Sequence, residues 1–199
     1  EKRLEKIGIF SGLYNKIISS GEICRKNFLK NDYYLSKFGR IFYFIGQETD
    51  KDISANVKKL LETTDIYSAN FLLVCGTRKF EDKLKIYQSE LDLGLKLNLP
   101  LVCANPDRVV VRKSGEKLIC AGELAHYYSL KGGKVFYYGK PYVDVYEECS
   151  KTFKVIDSAI EKKDILVIGD SLETDIKGAN DYKLSSVLVT GGIHKDLFH

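Results

Sequence analysis

The sequence predicts an α/β fold built on parallel strands. Three observations carry that expectation. Short apolar runs of strand length alternate with longer helical stretches almost from end to end. Several runs are continuously apolar, as strands covered on both faces are. Most of them stop at a glycine or an Asn-Pro break, where a strand gives way to a loop.

The elements follow in order. Residues 1–8 read as the end of a helix stopped by Gly8. After the apolar run Tyr14–Ile18, Ser19 and Glu22 have the spacing of a capping box, and a helix is expected from there toward Phe38. Ile41–Ile45 reads as a buried strand. Ile53, Val57, Leu60 and Leu61 recur at helical spacing. Phe71–Cys75 is a strand, residues 81–97 a helix, and Leu99–Cys103 leads to the break at Asn105-Pro106. Val109–Arg112 and Lys117–Ile119 flank Ser114-Gly115, a hairpin signal. A helix from Gly122 to Leu130 ends at Gly132-Gly133. Lys134–Tyr138 is a strand closing on Gly139, followed by a helix from about Val143 to Ile160. Ile165–Ile168 is a continuous apolar strand expected to be buried, residues 173–182 a helix, and Ser186–Val189 a last strand. Tyr33, Tyr34, Phe42, Tyr43 and Phe44 are expected to pack in a core.

Composition narrows the function classes. The 199 residues are 44% hydrophobic, enough for one sizeable core or two small ones. Net charge is +4, from 31 basic and 27 acidic residues mixed along the chain, so a nucleic-acid footprint is not expected. No apolar run approaches the ~20 residues that span a bilayer, and membrane association is not expected. The five cysteines (Cys24, Cys75, Cys103, Cys120, Cys149) are odd in number and form no C-x-x-C pair, which fits a reduced, cytoplasmic setting. The sequence starts at Glu1 and has no methionine, so its natural start is expected outside these residues or processed away.

The chemistry concentrates at two strand ends. In Ile165–Asp175 an apolar strand ends, a glycine follows, and Asp170 stands just past the carboxyl end, where open α/β sheets bind ligands. Asp175 lies in the first turn of the next helix. Two carboxylates there suit a hard cation such as Mg²⁺, which takes one or two carboxylates plus waters and phosphate oxygens. The alternative is plain helix capping, for which aspartate is also favoured. In Lys134–Pro141 another strand ends at Gly139, and Lys140 follows, ahead of Pro141 at an expected helix start. Its compact charge suits a phosphate oxygen or a carboxylate nucleophile, against the commoner fate of a surface lysine. The two stretches lie about 30 residues apart, the span of one βαβ unit, so both sets of groups are expected on one sheet edge. A cation site beside a lysine is what phosphoryl transfer needs. Asp107 and Arg108, after the Asn-Pro break, are candidates for substrate contact, with a turn role as the alternative. Arg78 follows a strand and could meet a substrate anion, a role on which nothing rests. His126, His194 and His199 show no ligand spacing.

At these residues the sequence resembles the haloacid dehalogenase superfamily. Gly139-Lys140-Pro141 matches its third motif and Gly169-Asp170-Ser171-Leu172-Glu173-Thr174-Asp175 its fourth. Asn105-Pro106-Asp107, Ser19-Ser20-Gly21-Glu22 and Thr190-Gly191-Gly192 match flanking patterns of class IIA, the NagD-like and nitrophenylphosphatase-like group. The resemblance implies a Rossmann-like core, from residues 1–22 and 122–199, with an inserted α/β cap from residues 23–121. It implies a Mg²⁺-dependent phosphatase that forms an aspartyl-phosphate from a small phosphorylated metabolite. Lys140 would stabilise phosphoryl and nucleophile charge, and Asp170 and Asp175 would serve the metal. Asn105, Asp107, Gly169 and Ser171 are its weaker candidates for substrate or phosphate contact.

One departure is serious. The family's first motif, Asp-x-Asp-Gly-Thr or similar, occurs nowhere in the 199 residues, and Asp92-Leu93-Gly94 does not replace it. The second motif is absent too; Ser20 ends an apolar run but sits in the segment that follows that motif. The expectation is a chain that begins after the second motif, has an incomplete core sheet with unpaired edges, and is inactive alone. A homodimer or a complementing N-terminal fragment would be its partners. A repurposed binding protein keeping the cap and half the site is the rival reading.

Overall fold

The computed structural model describes residues 2–30, 38–55, 57, 59–112 and 114–198. Its centre is a parallel five-stranded sheet. The strands are β1 (Ile41–Ile45), β2 (Leu61–Thr63), β3 (Phe71–Val74), β4 (Leu101–Cys103) and β7 (Val135–Tyr137), in the order β2-β1-β3-β4-β7. The register is regular: Val74 sits opposite both Ile45 and Cys103, and Cys103 opposite Tyr137. Since all five strands run the same way, the loops that follow them emerge on one edge of the sheet. β7 lies beyond residue 122 and pairs with β4, so this sheet takes strands from both sides of that position.

Alternation along β3 shows how the sheet is covered. Phe71 and Leu73 join a cluster with Ile23, Phe28, Phe42, Tyr138 and Tyr146 on one face. Leu72 and Val74 join Tyr87, Leu91, Leu124 and Tyr128 on the other. The first cluster is supplied by α2 (Ser20–Lys30) and α5 (Val143–Ile156). The second is supplied by α3 (Leu84–Lys96) and α4 (Ala121–Leu130). A strand buried on both faces has no use for polar alternation, which is why these segments read as solid apolar runs. Gly94 and Gly133 mark close packing on this face: a Cβ on either would crowd Tyr128 or Leu72.

Two smaller sheets complete the chain. β5 (Val109–Val111) and β6 (Lys117–Ile119) form the expected antiparallel hairpin, turning through Gly115 at φ +85°. β8 (Leu166–Gly169) and β9 (Ser185–Leu188) pair in parallel, joined by a wide π-type turn over Leu172–Ile176 and the short helix α6 (Lys177–Tyr182). Among the described residues β8 and β9 pair only with each other. A four-residue helix α1 (Lys2–Glu5) opens the chain and is followed by Gly8 at φ +84°.

Several expectations need correction. The segment from Ile53 to Leu61 is not one helix. Gln47 and Asp50 form a capping box that starts a 3₁₀ turn at Glu48–Ile53, and Leu61 belongs to β2, 58% exposed, paired with Ile41. Strand pairing overrides the periodicity. β8 is not buried: Leu166 and Ile168 are 54% and 66% exposed, because one face of the two-stranded sheet is uncovered among the described residues. Pro141 precedes α5 rather than starting it, and the Lys140–Pro141 peptide is cis. At the start of α2 only half of the expected capping box is present, with the Glu22 N–H donating to Ser19 Oγ (3.1 Å). Tyr33, Tyr34 and His199 lie outside the described residues; Phe42 is core, while Tyr43 and Phe44 are half-buried. The five cysteines form no disulfide, and burial pushes the Cys103 thiol up to about 12. No helix among the described residues is long and apolar enough to cross a membrane.

Candidate active site

The site is assembled from three strand ends. β4 runs into Asn105-Pro106-Asp107, β7 into Gly139-Lys140, and β8 into Asp170-Ser171. β4 and β7 are neighbours, which puts the Asn105 and Lys140 loops side by side. Gly139 adopts φ +117°, a conformation glycine reaches without strain, and a Cβ there would crowd Ser20 and Pro106. Ser20 therefore stands against the Lys140 loop from the start of α2.

Lys140 and Asp175 meet directly. Lys140 Nζ donates to Asp175 Oδ1 at 2.5 Å. Asp175 is 6% exposed, and its Oδ2 accepts from the Ser171 N–H at 3.2 Å. A buried carboxylate requires such partners, and here both oxygens are engaged. Gly169 explains how the carboxyl fits: a Cβ at that position would overlap it. The turn carrying Asp175 is clamped from α5, where the Tyr146 hydroxyl sits 3.2 Å from the carbonyl oxygens of both Thr174 and Asp175.

Asp170 is held differently. Its Oδ2 accepts from the Ile193 N–H at 3.0 Å, and Gly192 packs so closely on it that a Cβ would overlap the carboxyl. Oδ1 has no hydrogen-bond partner among the described residues, and Asp170 lines the cleft described next. Asp107 completes the charge cluster. Burial pushes its carboxyl up from the usual carboxylate range; Lys140 opposes the rise, and Asp175 and Asp170 add to it. These groups line a cleft of about 710 Å³, with Asp107, Lys140, Asp170, Ser171 and Asp175 on its wall.

The sequence-predicted residues thus divide by what they touch. Lys140, Asp170, Asp175 and Asp107 converge on one cleft. Asn105 makes a turn: its Oδ1 accepts from the Asp107 N–H at 3.2 Å. Ser171 caps the turn after β8, its Oγ accepting from the Thr174 N–H at 3.3 Å. Gly169 acts by having no side chain. Arg108 pairs with Glu123 at 2.7 Å, and Arg78 lies with Glu90, away from this cluster. Two contributors have no sequence signature of their own, the Tyr146 hydroxyl and the Ile193 N–H. Gly192 was signalled by the Gly191-Gly192 pair, which had no stated role.

Among the described residues no three His, Cys, Asp or Glu side chains cluster tightly enough to cage a metal ion. The donor set still suits Mg²⁺, which takes one or two carboxylates and fills its remaining positions with water and phosphate oxygens. Asp170 Oδ1 fits that role. Asp175, with both oxygens engaged, fits the role of holding Lys140 and the Ser171 turn.

Residues 137–197 match the HAD-hydrolase-like family model. No curated protein matches the chain. Solved structures do. A haloacid dehalogenase-like hydrolase from Brucella suis is 28% identical with a TM-score of 0.84, over 94% of this chain and 68% of its own. A possible sugar phosphatase of the HAD superfamily from Cytophaga hutchinsonii is 24% identical with a TM-score of 0.75, over 96% and 67%. A p-nitrophenyl phosphatase from Archaeoglobus fulgidus is 20% identical with a TM-score of 0.66, over 96% and 68%. The last two speak for the fold alone. The chain spans about two thirds of the length of these neighbours. The family match falls on the strand end that carries Lys140 and on the turn that carries Asp170 and Asp175. Over residues 137–197 the chain is thus similar to the HAD-hydrolase-like family, and over nearly its whole length it shares the fold of solved haloacid dehalogenase-like structures.

Proposed function

We propose that this chain supplies the lysine and metal-side half of a class IIA, Mg²⁺-dependent phosphatase acting on a small phosphorylated metabolite. One observation carries the reading: Lys140, after β7, and Asp175, after β8, are paired, and both line with Asp170 a cleft wide enough for such a molecule. In the reaction an aspartate oxygen bonds to phosphorus, the substrate oxygen departs with a proton, and water then releases phosphate from the aspartyl ester. Lys140 Nζ neutralises charge gathering on the phosphoryl oxygens. Asp175 keeps that ammonium in place, and the Ile193 N–H keeps Asp170 turned into the cleft. A bound Mg²⁺ supplies further positive charge to the phosphoryl group.

The attacking aspartate is the missing part. No Asp-x-Asp-Gly-Thr motif occurs in the 199 residues. A complementing segment carrying it would be the protein partner that completes the site, and a second copy of the chain would be a homodimer partner only. An Asp-x-Asp motif upstream of Glu1 would favour the enzyme, and its absence there the rival, a binding protein that retains the cleft without turnover. Phosphate release from p-nitrophenyl phosphate, with and without Mg²⁺, tests the assignment. This chain is expected to release none; adding a segment with an Asp-x-Asp motif should give Mg²⁺-dependent release that Asp170→Ala abolishes. Mg²⁺-dependent release by the chain alone, lost in Asp170→Ala, would show a nucleophile elsewhere in these residues. No release with any added segment would favour the binding protein.

A further inference from the structure

The strand order β2-β1-β3-β4-β7 reverses direction once, between β1 and β3. From β1 the chain moves outward to β2; from β3 it crosses through α3 to β4 on the other side. Diverging connections open a crevice outside the carboxyl ends of the two strands, the place where open parallel sheets take ligands. Such a crevice is present, about 360 Å³ in volume, lined among others by Tyr43, Gly46, Lys51, Glu62, Thr64 and Arg78. Gly46 is needed for the approach of the strand ends, since a Cβ there would meet the Phe44 ring at 2.8 Å and Cys75 at 3.1 Å.

The polar groups of the crevice are held before any ligand arrives. Arg78 donates twice to Glu90, at 2.9 and 2.8 Å, and its second terminal nitrogen is 3.5 Å from the Tyr43 hydroxyl. The Arg78 N–H donates to the Tyr87 hydroxyl, which in turn donates to Asp82, each at 2.5 Å. Lys51 bridges Glu48 and Glu62 at 3.0 and 2.9 Å, and its ammonium lies 5.6 Å from the centre of the Phe44 ring. Three carboxylates thus accompany two cations. An anion would meet cations already neutralised and a surplus of negative charge; a cation would have to displace Lys51 or Arg78. A hydroxyl group, both donor and acceptor, can use a carboxylate oxygen and a cationic N–H together without breaking either pair. Tyr43 and Phe44 add apolar surface for C–H groups.

We propose that this crevice is a second ligand site, one that takes an uncharged polyhydroxylated group such as a sugar ring. It stands on the edge that also carries Lys140, with β1 and β7 three strand spacings apart, about 14 Å. It does not depend on the phosphatase reading, because binding is read without turnover.

The test is a ¹H–¹⁵N titration of the whole chain with D-glucose, D-ribose and myo-inositol, and separately with inorganic phosphate. At least one polyol should shift the Gly46 and Thr64 amides and the Arg78 Nε–H saturably, and phosphate should not. Thr64→Val should weaken that binding several-fold and Arg78→Lys about tenfold, with the remaining resonances unmoved. Saturable shifts at these positions with phosphate alone would make this an anion site and overturn the proposal. So would the absence of saturable shifts with all three polyols, or polyol binding unchanged in both variants.

Discussion

At the residue scale the site depends on what each group is held by. Lys140 and Asp175 were legible because glycine punctuates the two strands that deliver them, and an Asp six residues past a strand end falls in the next turn. The partners that fix Asp170 and Asp175 were not legible. Ile193 contributes only a backbone N–H, which any residue but proline could supply, and Tyr146 looks like one more apolar position of an amphipathic helix. Ser171 and Asn105 illustrate the competition between capping and function: their side-chain oxygens are occupied by local backbone donors. One prediction belongs here. Among the described residues, Lys140→Met removes the one side-chain donor to a carboxylate that is 6% exposed. Since the lysine itself is half in solvent, the cost is expected at about 2 kcal/mol, below that of a fully buried pair. Urea unfolding of the two proteins measures it, and an unchanged midpoint would mean the pair does not hold the turn. Gly169→Ala is expected to disturb the same turn by steric overlap with the Asp175 carboxyl, lowering the unfolding midpoint further than Gly12→Ala, where a Cβ meets nothing within 4 Å.

At the element scale, α2 and α5 cover the same face of the large sheet and are tied by a charge cluster. Lys26 and Lys16 reach Glu148 at 2.6 and 3.2 Å. Hydrogen bonding from Lys26 is the main cause that lowers the Glu148 carboxyl from 4.5 to about 2, against a smaller opposing effect of burial. A carboxyl lowered on folding stabilises the native state above its unfolded value and loses that contribution as pH falls through the folded one. Stability should therefore decline between roughly pH 5 and pH 2, and Glu148→Gln should flatten that decline while lowering stability at pH 7. Equal slopes for both proteins in pH-dependent denaturation would remove Glu148 as the cause. The elements themselves were mostly visible as apolar runs broken by glycine. The exception, Ile53–Leu61, shows why periodicity alone misleads: a three-residue strand carrying Glu62 leaves almost no pattern of its own, and only its pairing with β1 reveals it.

At the scale of the whole molecule, two unlike bodies of structure share one chain. The five-stranded sheet is covered on both faces and has ordinary parallel-sheet packing. The β8–β9 pair has helices on one side and exposes Leu166, Ile168 and Val187 on the other. A sequence run cannot report this: Ile165–Ile168 is as apolar as Phe71–Val74, and the difference lies in what packs on top. Two-stranded sheets with an uncovered apolar face are prone to associate. The chain is expected to self-associate, and Leu166→Lys with Ile168→Lys should raise the monomer fraction in sedimentation at a stability change of about 0.5 kcal/mol or less. A large loss of stability instead would show that this face is covered.

We propose that Asp170, held by the Ile193 N–H and placed beside the Lys140–Asp175 pair, is a Mg²⁺ ligand. The most direct test is a Mg²⁺ titration of the chain with inorganic phosphate present, followed at the Ser171 and Ile193 amides, in the native sequence and in Asp170→Ala. Saturable shifts in the first and none in the second are the predicted result. Shifts that persist in Asp170→Ala, or none in either protein, would mean that Asp170 does not hold Mg²⁺.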